Sequence, residues 1–434
     1  MSKPITHDHQ APAGGRSAFL PVHPLVLLLC CAGAFAIYCA TSFVIVARGS
    51  STMFGADTWF YTELARGDII ARLKSDYYLD RIFRFHPLTV FLAAGWMKIL
   101  APLAAWIAPE QLLRAMFALI GSIGAGAAIS AFATQLPRTQ AALWGVIYAA
   151  SLNIWYFSSI EESKIISATL ATIYLAAWLH LRENGSRRGW LFLNAALLLA
   201  CLNEIVAAFM IAVPAFDTLL RKGWRWRELR WLLPHALIAP FAYLLIELLT
   251  FAFTSRTTPH AEGANHIDTL LWYVAQNSFS LEAVHGFAVR WLFFSIAAPE
   301  TKIYFANAAI RYGGDFYPGL WLYFVNPLPA AVALLAIGIF LACFWREPRA
   351  GSTPISPILL GLAAYALVRG VFFFFFIPKE YLLYSPGVTL AHLLLIAIPF
   401  ARSRLVGKPY VLAAFAAALV ANNALFFWTV KAYG

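Results

Sequence analysis

Gly55-Ala56-Asp57-Thr58-Trp59-Phe60-Tyr61-Thr62-Glu63-Leu64-Ala65-Arg66-Gly67-Asp68 is a polar island in a sequence made mostly of hydrocarbon side chains. It falls between a first apolar run, Pro21 to Ala47, and a second that is opened by Phe85-His86-Pro87. A loop crowded with carboxylates, arginines and aromatics at a membrane surface is where chemistry would be sited, and Asp57 is its first candidate. The residues that follow, Trp59, Phe60, Tyr61 and Leu64, predict an interfacial helix with Asp57 at its N-terminus. There the helix dipole favours the ionised carboxylate, as a general base requires. The position equally suits an ordinary helix N-cap, and the two roles are compatible.

Of 434 residues, 61% are hydrophobic and 12% charged, which leaves too little polar surface to cover a soluble domain. The fold class expected is all-α, a polytopic bundle of about 9 to 12 membrane helices. The net charge of +11 does not imply a nucleic-acid partner, because the basic residues form short clusters between apolar runs rather than one continuous face. The five cysteines, Cys30, Cys31, Cys39, Cys201 and Cys343, sit inside apolar segments without metal-ligand spacing, so neither a disulfide framework nor a zinc site is indicated.

Spans are expected near 21–47, 114–134, 140–157, 163–181, 231–254, 320–345, 355–377, 386–401 and 409–430, with residues 1–20 as a cytoplasmic tail and 21–434 as one membrane domain. The basic clusters at Arg138, Arg182/Arg187/Arg188, Arg221 to Arg227, Arg346/Arg349 and Arg402/Arg404/Lys408 mark the cytoplasmic side. Loops 48–85, 158–163, 255–317 and 378–385 are then on the outer face. Residues 190–220 are apolar yet flanked by basic clusters at both ends, which predicts a re-entrant hairpin turning at Cys201-Leu202-Asn203-Glu204. Residues 86–107, which carry Lys98 and Pro102, are expected as an interfacial or half-inserted helix, a full crossing being the competing count. The large loop 255–317 has apolar pieces near 268–275 and 287–298 that suggest helices lying on the outer surface as a lid.

The order of the landmarks resembles the GT-C superfamily of polyprenyl-phosphate-sugar-dependent glycosyltransferases, in particular its protein O-mannosyltransferase-like and aminoarabinose-transferase-like bacterial members. The resemblance is carried by one span followed by Ala56-Asp57-Thr58-Trp59-Phe60-Tyr61, by Phe85-His86-Pro87-Leu88, by Ser151 to Glu161-Glu162, and by Pro378-Lys379-Glu380-Tyr381-Leu382-Leu383. The family's His-Pro-Pro is His-Pro-Leu here, and Glu380 intervenes between the basic residue and the tyrosine.

The resemblance implies an inverting transfer at the outer, periplasmic face of a bacterial inner membrane. Asp57 would take the proton from an acceptor hydroxyl that attacks the anomeric carbon while a polyprenyl phosphate leaves, and Glu161 or Glu162 would orient the acceptor. Candidate contacts to the leaving phosphate and the substrates are Arg81, Arg84, His86, Glu204, Arg369, Lys379 and Tyr381, cations being needed where negative charge develops. Arg369, about two turns inside its span, is costly enough in a membrane to suggest function, although snorkelling would also account for it. Glu161/Glu162 suit a solvated helix cap equally well. Glu247 and His392 are taken as packing positions, and Asp68, Asp76 and Asp80 as partners of the arginines around them. No obligatory metal or other cofactor is expected, with a divalent cation bridging the donor phosphate and Asp57 left open. The partners implied are a polyprenyl-phosphate-linked sugar, an acceptor of unspecified class and membrane lipid. A secondary transporter or lipid flippase is the alternative, since Arg369, Glu204 and Asn203 also suit a midplane site.

Overall fold

The computed structural model describes residues 22–51, 53, 56, 58–254, 274–275, 280–299, 320–345, 356–376 and 381–430. Asp57 and Lys379 lie outside them, as do His260, Glu262, His266 and Asp268 of the large loop. All regular elements among the described residues are helical: α1 (Pro24–Ala47), α2 (Thr58–Tyr61), α3 (Ile69–Arg72), α4 (Tyr77–Phe85), α5 (Pro87–Ile99), α6 (Pro109–Ala133), α7 (Arg138–Ala150), α8 (Leu152–Ser158), α9 (Lys164–Asn184), α10 (Arg187–Asn203), α11 (Ala212–Arg221), α12 (Leu233–Ala236), α13 (Ile238–Phe253), α14 (Leu281–Val289), α15 (Pro327–Ala342), α16 (Pro357–Phe376), α17 (Tyr381–Tyr384), α18 (Thr389–Ala401) and α19 (Lys408–Thr429). Six helical segments are long and apolar enough to cross a bilayer: 24–47, 109–133, 164–182, 226–253, 357–376 and 408–429. Shorter apolar helices at 87–99, 327–342 and 386–401 pack among them, and the chain is an integral membrane protein.

Local chemistry sets the ends of these helices. Pro24, Pro87 and Pro109 each stand in the first turn, where a missing N–H costs nothing. Gly185 ends α9 in the left-handed conformation, and Ser186 caps α10 by accepting from Gly189 N at 3.0 Å. At Glu204 the backbone turns extended, with φ −156° and ψ 109°, which stops α10.

Two sets of contacts define the two ends of the bundle. At one, Asp217 on α11 meets Arg182 at 3.3 Å and Arg221 at 3.1 Å, so the end of α9 and the end of α11 lie together. At the other, Asn203 bonds to Ser163 just before α9. Residues 187–221 therefore run from the basic end to the Asn203 end and back, turning at Glu204. Helix α16 packs along the returning arm, and a Cβ on Gly361 would stand 2.4 Å from Val213 O. Only glycine allows these backbones that distance.

Both ends of α5 sit at the Asn203 end. His86, preceding it, bonds Asn203 O, and Trp96 near its close donates Nε1–H to Leu112 O at 2.7 Å, in the first turn of α6. A 13-residue helix is about 20 Å long, and this one lies along the bundle end rather than through it.

The expectation for 287–298 needs correction. Trp291, Phe294, Ala297 and Ala298 are buried, and the segment enters the bundle instead of lying on its surface. Its last turn is held by backbone bonds from Leu152 N to Ile296 O (2.8 Å) and Asn153 N to Ser295 O (3.1 Å). Asn423, in the middle of apolar α19, completes the junction by accepting from Ala298 N (2.9 Å) and donating to Ala150 O (2.8 Å). These side chains satisfy backbone groups that a break between α7 and α8 would otherwise leave unpaired in hydrocarbon.

Candidate functional site

The first loop is stiffened by its own charges. Asp68 caps α3 and Asp76 caps α4, the latter accepting from Tyr78 N at 2.9 Å and Leu79 N at 3.1 Å. Arg72 bridges Glu63 (2.6 Å) and Asp76, and Arg66 pairs with Glu63 at 2.6 Å. Arg84 is held by buried Asp80, Nη2 to Oδ2 at 2.9 Å, and Arg81 lies over the Phe60 ring at 5.2 Å. Both arginines were expected at a substrate phosphate. The structure gives each a partner within its own loop, so the run 63–84 reads as a cross-braced platform.

From that platform Tyr61 reaches into the bundle, its Oη donating to Ser163 Oγ at 2.8 Å. Ser163 also donates its backbone N–H to Glu162 Oε1 at 2.9 Å. Asn203, wholly buried, is the hub beside it. Its amide donates to Ser163 O (3.1 Å) and Ser167 Oγ (2.8 Å), its Oδ1 accepts from Thr89 Oγ1 (2.6 Å), and its backbone carbonyl accepts from His86 Nδ1. A ring nitrogen bound to a carbonyl oxygen must carry its proton, which fixes the His86 tautomer or leaves the ring doubly protonated. One residue thus ties together the start of α5, the start of α9 and the tip of the 187–221 hairpin.

One residue on, Glu204 meets Arg369. Oε2 accepts from Arg369 Nη2 at 2.9 Å, and Oε1 lies 3.8 Å from Lys164 Nζ. Glu204, Arg369 and Lys164 are all buried. Two rings support the cations: the Lys164 ammonium sits 4.3 Å from the Tyr384 centroid, and the Arg369 guanidinium 5.0 Å from that of Phe373. Phe373 and Tyr384 stack on each other at 4.2 Å. Space for the guanidinium comes from Gly387, whose Cβ would stand 2.9 Å from Nη2, and Gly387 is itself fixed by Tyr365 Oη on its carbonyl at 2.8 Å. Arg369 therefore does not snorkel; it points into the bundle.

Glu161 is fully buried with Oε1 2.6 Å from Arg114 Nε. Neither it nor Glu162 is a solvated cap. Burial pushes the Glu161 carboxyl above its ordinary range, with Arg114 pulling in the opposite direction. Tyr381 opens α17, next to the Leu382–Tyr384 stretch that reaches this cluster. His392 is buried against Trp291, ring centroids 6.0 Å apart.

Of the candidates read from the sequence, His86, Glu162, Glu204 and Arg369 come together through Ser163 and Asn203, with Glu161 alongside. Sequence reasoning missed Arg114, Thr89, Ser163, Phe373 and Tyr384. Arg114 had a legible signal, a lone arginine in the second turn of an apolar span, whereas Phe373 was hidden in the Phe372 to Phe376 run. Chemically, the assembly sets carboxylates and cations side by side at one end of the bundle, where their interactions are strengthened by burial. Among the described residues no group of three or more His, Cys, Asp or Glu side chains is arranged to hold a metal.

No protein-family model matches this sequence, and no curated protein matches it. The fold is similar to that of ArnT from Cupriavidus metallidurans in the crystal structure bound to undecaprenyl phosphate, with a TM-score of 0.50 and 19% identity over 90% of this chain. The chain spans 62% of that protein's length. The same ArnT in the apo state aligns with a TM-score of 0.43, 14% identity, 87% of this chain and 78% of that one. The likeness is one of architecture.

Proposed function

We propose that this protein is an integral-membrane glycosyltransferase that moves a sugar from a polyprenyl-phosphate carrier to an acceptor at the outer face of a bacterial inner membrane, with inversion. The observation that carries the reading is the convergence, at one end of a membrane bundle, of the first loop, the Glu161–Lys164 stretch, the Glu204 tip and Arg369. A fold shared with a protein solved with undecaprenyl phosphate supports it.

In this reading Asp57 is the base that takes the acceptor proton. Glu162, whose partner Ser163 is bonded to Tyr61 of the same loop, orients the acceptor, and Arg114 pairs with Glu161 behind it. Arg369 and Lys379 stabilise the charge that grows on the phosphate as the glycosidic bond breaks. A divalent cation at Asp57 belongs to the proposal only if transfer proves metal-dependent. The clustering of Tyr61, His86, Ser163 and Asn203 at helix ends weighs against a transport site halfway through the membrane.

The test is transfer by the purified full-length protein from a panel of polyprenyl-phosphate sugars, read by mass spectrometry of the acceptor fraction, with and without chelator. A sugar-bearing product from one donor supports the reading. Absence of transfer across the panel, together with uptake or flipping of a lipid substrate in vesicles, would replace it with transport.

A further inference from the structure

Lys164 opens α9 with 5% of its surface exposed, and among the described residues its ammonium has no hydrogen-bond acceptor. Its nearest partners are Glu204 Oε1 at 3.8 Å and the face of Tyr384 at 4.3 Å, neither of which is a hydrogen bond. Two further polar atoms of the same cluster are buried without a partner, Glu204 Oε1 and Arg369 Nε. Buried polar groups are almost always paired, so these two unused atoms beside an ammonium held only at 3.8 Å mark a place prepared for something else.

The charges say what it is. Lys164 and Arg369 carry one positive charge each and Glu204 one negative, leaving the cluster a single positive charge in excess. An ammonium and a guanidinium whose Nε–H is unused, while its Nη2 is shared by Glu204 and the Tyr384 carbonyl, match the oxygens of a phosphate. Glu204 is also placed to yield. It stands where α10 ends, on extended backbone, and holds Arg369 by one oxygen only.

We propose that Glu204 is a displaceable counter-ion: it neutralises Arg369 and positions Lys164 in the unloaded protein, and the phosphate of the lipid carrier takes over both cations when it binds. The assignment rests on the polyprenyl-phosphate reading above. It gives Lys164 a contact to the phosphate and makes Glu204 a positioning residue that competes with the ligand. Such competition favours release of the phosphate product, since the carboxylate is ready to reclaim Arg369.

The experiment is calorimetric titration of the full-length protein in nanodiscs with farnesyl phosphate, with inorganic phosphate and uncharged farnesol as parallel arms. Glu204→Gln keeps the shape and removes the competing charge, so farnesyl phosphate binds about tenfold tighter or more, and farnesol is unaffected. Lys164→Met keeps the packing on Tyr384 and weakens binding by about tenfold. Size-exclusion homogeneity of both variants accompanies the titrations. Binding to the wild-type protein that is unchanged or weakened by Glu204→Gln would overturn the counter-ion role and leave Glu204 a structural clamp. A Glu204→Gln gain seen with inorganic phosphate but no binding of farnesyl phosphate would keep the seat and overturn the lipid-carrier reading. Failure of the wild-type protein to bind either phosphate overturns both.

Discussion

Tyr61 Oη donates to Ser163 Oγ across 2.8 Å, a bond that spans 102 positions of sequence and seats the first loop on the start of α9. Tyr61→Phe keeps the buried ring and removes only this bond, so the expected loss of stability is about 0.5–1.5 kcal/mol. The larger effect falls on the loop. Limited proteolysis within 48–85 accelerates in the variant, while cleavage elsewhere keeps its wild-type rate.

Asp57→Asn is expected to abolish sugar transfer and to leave binding of the lipid donor nearly intact, as removal of a general base does. Single-turnover transfer and donor binding are measured on the same preparation. Substantial residual transfer would move the base to Glu162 or Glu161.

Arg114→Met leaves Glu161 buried without its cation, an arrangement that costs about 3–5 kcal/mol. Glu161→Gln added to it recovers much of the loss. The pair also has a pH signature. Burial raises the Glu161 pKa, so the native protein keeps that proton to a higher pH than the unfolded chain. The group's contribution is fully present below the ordinary carboxylate pKa and declines as the pH rises through the raised value. Thermal unfolding at pH 5 and pH 8 should show a steeper decline in Arg114→Met and a flatter one in Glu161→Gln.

Gly361→Ala and Gly387→Ala separate scaffold from site. The first sets a methyl 2.4 Å from Val213 O, backbone against backbone, and is expected to cost about 1–3 kcal/mol through forced separation of α16 from the hairpin. The second meets only the Arg369 guanidinium, at 2.9 Å from Nη2, which can shift. It therefore lowers transfer more than it lowers the unfolding temperature.

The helices and most of the landmarks were legible because hydrocarbon runs and basic clusters obey the bilayer's own rules. The turn at Asn203-Glu204 was readable for the same reason, being polar where an unbroken span should be apolar. What escaped were partners. Nothing in the spacing of Arg114 and Glu161, 47 positions apart, announces a 2.6 Å ion pair, and nothing near Asn423 announces its bonds to Ala298 N and Ala150 O, 125 and 273 positions away. Arg84 has a partner that the spacing does offer. Asp80, four residues before it, shares one face of α4 with it and holds the guanidinium. Residues 287–298 are an apolar piece that would suit the membrane surface, and their partners, Leu152, Asn153 and Asn423, are far from them in sequence.

The Asn203 hub also sets an order of events during synthesis. Thr89 lies 114 residues before the amide that receives its hydroxyl, and His86 is 117 residues from the carbonyl it bonds. When the first loop emerges from the translocation machinery, the partners that will anchor its root do not yet exist. It must wait, solvated and unanchored, while helices α5 to α10 are made. Arrival of Asn203 then fastens three distant stretches at one stroke, so a nascent chain halted before that residue should carry a first loop open to labelling reagents, and one halted well after it a loop already closed.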